Sequence, residues 1–68
     1  MKILKINTDF IKLDTALKLA GITDTGGQGK ILIQEGFIYV NGEQEFRRGR
    51  KCISGDRIQF EEEEILIE

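Results

Sequence analysis

Histidine and proline are missing from this chain, cysteine occurs once, and aromatic residues make up only 7% of it. Each shortage excludes something. Without histidine the commonest general base and metal ligand is gone, and the single thiol, Cys52, has no base beside it in sequence. Asp9, Asp14, Asp24 and Asp56 fall at turns or helix starts, where carboxylates cap backbone N–H groups, and no two of them form an acid/base couple. The reading is therefore a non-enzymatic chain with no cofactor and no metal. One cysteine cannot close an internal disulfide, which suits a reducing cytoplasm. So few aromatics do not supply the exposed stacking cluster of a sheet-type RNA reader; Phe37 and Tyr39 are expected in the core, wholly or in part. The longest apolar run is Phe37-Ile38-Tyr39-Val40, far short of the ~20 residues that span a bilayer. Met1-Lys2-Ile3-Leu4-Lys5 lacks the apolar stretch of a signal peptide. No membrane partner is expected.

What remains is a balanced, mixed sequence of 68 residues, 40% hydrophobic and 32% charged, read as one domain over 1–68. A chain of this size buries only about 60% of the surface its unfolded form exposes, so its core is small. The net charge of −2 misleads. Glu61, Glu62, Glu63, Glu64 and Glu68 hold five of the twelve acids, and residues 1–60 carry ten cations against seven acids. Segregation of this kind says more about binding than the sum does.

The expected architecture is α+β. Lys2–Ile6 reads as a short strand closed by Asn7-Thr8-Asp9. Phe10 and Ile11 continue extended into a helix, where Leu13, Ala16, Leu17 and Ala20 follow the i, i+3, i+4, i+7 stripe and Gly21 is the stop. Thr25-x-x-Gln28 fits a capping box, the glutamine side chain reaching back to the backbone of the cap residue. It opens a second helix with Gly29, Leu32 and Ile33 inside and Gly36 as its stop. The apolar segment Phe37–Val40 reads as a buried strand. Asn41-Gly42 is a two-residue hairpin signal, with Glu43–Phe46 as the return strand. Ser54-Gly55-Asp56 turns into a strand over Arg57–Phe60. Ile65 and Ile67 mark a last strand, whose partner is either Arg57–Phe60 or the N-terminal strand. Glu61-Glu62-Glu63-Glu64 reads as a solvated turn and strand edge; a rarer reading has it repel nucleic acid and so orient binding.

Two segments carry chemistry. Arg47-Arg48-Gly49-Arg50-Lys51 puts four cations in five residues. Such runs are commonly solvated loops, but like charges this dense repel one another, and arginine forks suit phosphates and base edges. The segment reads as a nucleic-acid contact loop. In Thr25-Gly26-Gly27-Gln28-Gly29-Lys30, glycines cost a helix roughly 1 kcal/mol each at interior positions. Two reasons for them stand: bare backbone that lets a phosphate approach the helix N-terminus, or close packing and turn geometry. It is not a Walker loop, since Asp24 stands where the first glycine belongs and Ile31 where Ser or Thr must bind the metal. Lys12, Lys18 and Lys30 lie on outer helix faces. Cys52 reads as a buried, inert thiol, with oxidation sensitivity from its basic neighbours as the minor alternative.

The order Lys12-Leu13-Asp14, helix, Gly21-Ile22, Thr25-Gly26-Gly27-Gln28-Gly29-Lys30, Leu32-Ile33, Gly36, Val40-Asn41-Gly42, Gly55-Asp56 resembles the S-four RNA-binding domain, or αL motif. That family's pattern is Arg-Leu-Asp, a helix, Ser-Arg-x-x-Ala-Arg, Leu-Ile, Gly, Val-Asn-Gly and a late Gly-Asp. The likeness runs from about residue 12 to 60. Its glycine-rich and basic segments resemble the short stand-alone subgroup labelled YaaA-like or YbcJ-like. The resemblance implies two short packed helices against a small, mainly antiparallel sheet of about four to five strands. It also implies an RNA face on the helices and the loop ahead of Gly55-Asp56. Lys12 takes the place of the family's first Arg, Thr25 the Ser, Gln28 a polar outer position and Lys30 the second Arg. Gly26 replaces an Arg and Gly29 an Ala, which shifts weight from the second helix to Arg47, Arg48, Arg50 and Lys51.

The expected RNA-contacting set is Lys12, Thr25, Gly26, Gly27, Gln28, Lys30, Arg47, Arg48, Arg50 and Lys51. The expected partner is structured RNA, ribosomal RNA first and tRNA second, in the setting of ribosomal particles, with DNA less favoured. The rival from another class is a protein-interaction adaptor whose basic loop docks on an acidic partner.

Overall fold

The computed structural model describes all residues, 1–68. Seven strands and two helices follow one another as β1 (Lys2–Leu4), β2 (Ile11–Lys12), α1 (Leu13–Leu19), α2 (Gly26–Gln34), β3 (Ile38–Val40), β4 (Glu43–Gln44), β5 (Lys51–Cys52), β6 (Arg57–Phe60) and β7 (Glu63–Ile67). Five strands form the main sheet in the order β1-β7-β6-β3-β4, and β2 and β5 pair in a separate ribbon. All main-sheet pairings are antiparallel except β1 with β7. β7 thus takes both of the partners expected for it.

Register explains the core. Val40, Ile58 and Ile65 lie opposite one another across β3, β6 and β7, and with Ile38 and Ile67 they form the buried face of the sheet. Leu13, Ala16 and Leu17 of α1 and Ile33 of α2 close over that face, and Ile11 and Cys52 of the ribbon complete the cluster. Both helices stop where glycine permits a left-handed residue, Gly21 at φ +80° and Gly36 at φ +88°, as helix-ending geometry requires. Asn41 and Gly42 both have positive φ, the signature of a type I′ hairpin turn.

Several expectations are corrected. Phe37 and Tyr39 are 51% and 41% exposed, because the helices cover one face of the sheet and Tyr39 points from the other while Phe37 precedes β3. The return strand is only Glu43–Gln44; Glu45 is buried instead. The glutamine of the capping box accepts from Asp24 N at 2.6 Å, one residue before the cap, while Thr25 Oγ1 accepts from Gln28 N at 3.2 Å as expected. Lys12 is not on an outer helix face: it belongs to β2 and immediately precedes α1. Lys51 is in strand β5, not in the loop.

Candidate nucleic-acid interface

The basic segment is built around an acid. Glu45 is 7% exposed, and its two carboxylate oxygens accept from five donors. Oε2 takes the backbone N–H groups of Phe46 and Arg47 and the Arg47 Nε, each at 3.1 Å. Oε1 takes Arg47 Nη2 at 3.2 Å and Arg50 Nη1 at 2.9 Å. The Arg47 fork holds the Glu45 carboxyl down at about 2 from its ordinary 4.5; burial opposes the shift and Arg50 adds to it. The same bonds raise both guanidinium pKa values. The mutual repulsion expected of four adjacent cations is therefore offset from within: Arg47 and Arg50 share one counter-ion, and only Arg48 and Lys51 of the four have none.

The loop's backbone has its own anchorage. A helix start leaves N–H groups without intrahelical partners, and α1 has no side-chain cap at Lys12. Its first amides are met by the loop: Leu13 N donates to Arg50 O at 2.9 Å and Asp14 N to Arg48 O at 3.2 Å. Just beyond, β5 pairs with β2 so that Ile11 faces Cys52 and Lys12 faces Lys51. Ile11 and Cys52 point into the core, so by the alternation of a strand Lys12 and Lys51 point out, side by side. Directly opposed like charges destabilise a ribbon, and neither lysine has an acidic partner. Lys51 Nζ lies over the Phe10 ring, 4.8 Å from its centre. Burial pushes the Cys52 thiol up to about 11, consistent with an inert thiol.

The second helix joins this site through its first turn. A Cβ added at Gly29 would lie 3.5 Å from the Asp14 Cβ, so the starts of α1 and α2 touch. Thr25, Gly26, Gly27 and Gln28 are all exposed there, as is Lys30. A Cβ at Gly26 would meet nothing within 4 Å, and one at Gly27 only Thr25 Oγ1 at 3.8 Å. Neither has positive φ. Close packing and turn geometry therefore do not require glycine at either position. The structure thus gathers Lys12, Arg47, Arg48, Arg50 and Lys51 around the start of α1 and sets Thr25–Lys30 against its flank. An open concavity lined by Arg47, Gly49, Arg50 and Lys51 lies in the loop.

Glu45 was missed in the sequence. Its signal was available: an acid two and five residues ahead of arginines, carried back by the Asn41-Gly42 hairpin to a place opposite Ile38. Arg57, by contrast, is occupied with Glu64 at 2.7 Å and stands apart from the cluster.

The chain is similar to known proteins over most of its length. The chain is 40% identical over 58 residues to the protein named Probable ribosome maturation protein RlbA of Bacillus subtilis, covering 85% of this chain and 82% of that one. It is 38% identical over 50 residues to YbcJ of Escherichia coli, covering 74% and 71%. The solution structure of Escherichia coli YbcJ, described as having an αL motif involved in RNA binding, superposes with a TM-score of 0.76 at 29% identity, over 98% of this chain and 86% of that one. The S4 domain matches residues 4–68, so nearly the whole chain is accounted for, and it belongs to the S4 domain family.

Proposed function

We propose that this chain is an RNA-binding module that takes structured RNA, ribosomal RNA first, by its phosphate backbone, and that it works on ribosomal particles in the cytoplasm. The observation that carries the reading is the set of cations without an acidic partner. Lys12 and Lys51 are opposed on one ribbon, Arg48 sits on the adjoining loop, and Lys30 lies one residue beyond the Gly29–Asp14 contact. An anion between Lys12 and Lys51 would relieve their repulsion. The exposed amides and hydroxyl of Thr25, Gly26 and Gly27, with Gln28, add neutral donors at a helix start, and Arg47 and Arg50 keep further N–H groups beyond those on Glu45. The names of RlbA and YbcJ's αL motif support the same direction.

Four unpaired cations set a quantity. If about four phosphates are neutralised, log affinity should fall against log salt with a slope of roughly −3. Fluorescence anisotropy with ribosomal RNA hairpins over a salt series measures it, with tRNA and matched DNA hairpins as competitors. Alanine at Lys12, Arg48 and Lys51 together should reduce affinity at least about a hundredfold, taking about 1 kcal/mol or more per charged contact. Binding indifferent to salt, or unchanged in that triple variant, sinks the reading.

A further inference from the structure

We propose that Glu45 is a positioning residue for RNA: an anion inside the basic segment that strengthens polyanion binding instead of opposing it. The proposal rests on the RNA reading above. Counted as charge alone, a carboxylate amid Arg47, Arg48, Arg50 and Lys51 should weaken attraction for phosphate, and its removal should tighten binding. The geometry points the other way.

Glu45 forms no ion pair with the unpaired cations. It holds the frame that carries them. Its own backbone N–H donates to Ile38 O at 3.0 Å, fixing it to β3. From there one carboxylate gathers two loop amides, the Arg47 fork and the Arg50 tip. With those points fixed, Arg48 O and Arg50 O meet the first amides of α1, Lys51 enters β5 opposite Lys12, and Arg48 leaves the loop between the two anchored arginines. Without the carboxylate, the half-buried Arg50, whose Nε already has no partner, loses its only counter-ion. The loop must then be ordered by RNA at the moment of binding, and that entropy comes out of affinity.

The test is the sign of one effect. A fluorescein-labelled RNA hairpin is titrated with the wild-type chain and with Glu45→Gln, which removes the negative charge and adds no bulk. The expected result is affinity weaker by about tenfold, the equivalent of one 1.4 kcal/mol step, despite a more positive protein. Hydrogen exchange supplies a readout that net charge would not move. The Leu13 and Asp14 amides should lose protection in Glu45→Gln while those of Ile58 and Ile65 keep theirs. If Glu45→Gln does not fold, Arg47→Lys carries the test. That side chain is 76% exposed and its charge is kept, but its spare N–H groups are lost along with the fork to the carboxylate, so the weaker binding expected counts for the positioning role only when the Leu13 and Asp14 amides lose protection with it. Equal or tighter binding in the folded variant overturns the positioning role while leaving the RNA reading intact. A wild-type chain that binds no hairpin overturns both.

Discussion

A carboxylate held at about 2 makes the stability of this chain depend on pH in one direction. Unfolded, Glu45 titrates near 4.5. Between those values the unfolded chain binds a proton that the folded chain does not, so stability rises with pH across the window. The contribution is complete above about 4.5 and is lost as pH falls toward 2. Thermal unfolding of wild type against Glu45→Gln, from neutral pH down to about 2.5, should converge: the wild type is more stable by about 1–3 kcal/mol at pH 7, as for hydrogen bonds to a charged group, and the gap closes in acid. A gap independent of pH would assign Glu45 no charged role. This residue was the least legible in the sequence. A glutamate among arginines looks like one more solvated charge, and only its seat beside Ile38, seven residues back along the chain, turns it into a buried anchor.

Among the elements, the two helices were the most legible, because a 3.6-residue stripe and a glycine stop are local statements. The ribbon was not. β2 and β5 have two residues each, too few for a period, and each is a strand only because the other lies beside it. Glycine at helical and left-handed positions gives a paired test. Gly29 sits inside α2 at negative φ, and its Cβ would make ordinary contact with Asp14. Gly29→Ala should therefore stabilise by about 0.5–1 kcal/mol through helix propensity. Gly36 ends the same helix at φ +88°, and a Cβ there would collide with the Gln44 amide that donates to Gly36 O at 2.8 Å. Gly36→Ala should cost about 1–2 kcal/mol. Urea unfolding of the two variants checks the opposite signs; a loss at Gly29 would mean that the contact between α1 and α2 has no slack. The hairpin and the Gly55 turn, read separately in the sequence, prove to be one unit. Asn41 Nδ2 donates to Asp56 Oδ1 at 3.0 Å, and Arg57 N donates to Asn41 Oδ1 at 2.9 Å. Side-chain bonds over fifteen residues leave no trace in local pattern.

For the molecule as a whole, the family and layer arrangement were readable from the order of motifs, while the parallel pairing of β1 with β7 was left open between two partners because it joins the two ends of the chain. Charge is divided at this scale too. The basic segment continues from edge strand β4, and the acidic turn Glu61–Glu62 joins β6 to β7, with β3 between β4 and β6. Glu64 is committed to Arg57, which leaves Glu61, Glu62 and Glu63 without ion pairs. Replacing these three by Gln should raise the association rate for RNA several-fold at low salt, through the long-range field, and leave the slope of log affinity with log salt nearly unchanged, since no phosphate contact is gained. Stopped-flow association at two salt concentrations distinguishes this from direct involvement, which would steepen the slope.

The carbonyls of Arg48 and Arg50 on the first amides of α1 have one more consequence. Most surface loops tolerate changes in length cheaply, about 0.6 kcal/mol for each doubling. This one is a measured spacer. Its two carbonyls stand two residues apart and must land on neighbouring amides of a helix. An inserted residue would unfasten one of them, so variation in this loop is confined to the identity of its side chains, and its length is set by the helix beneath it.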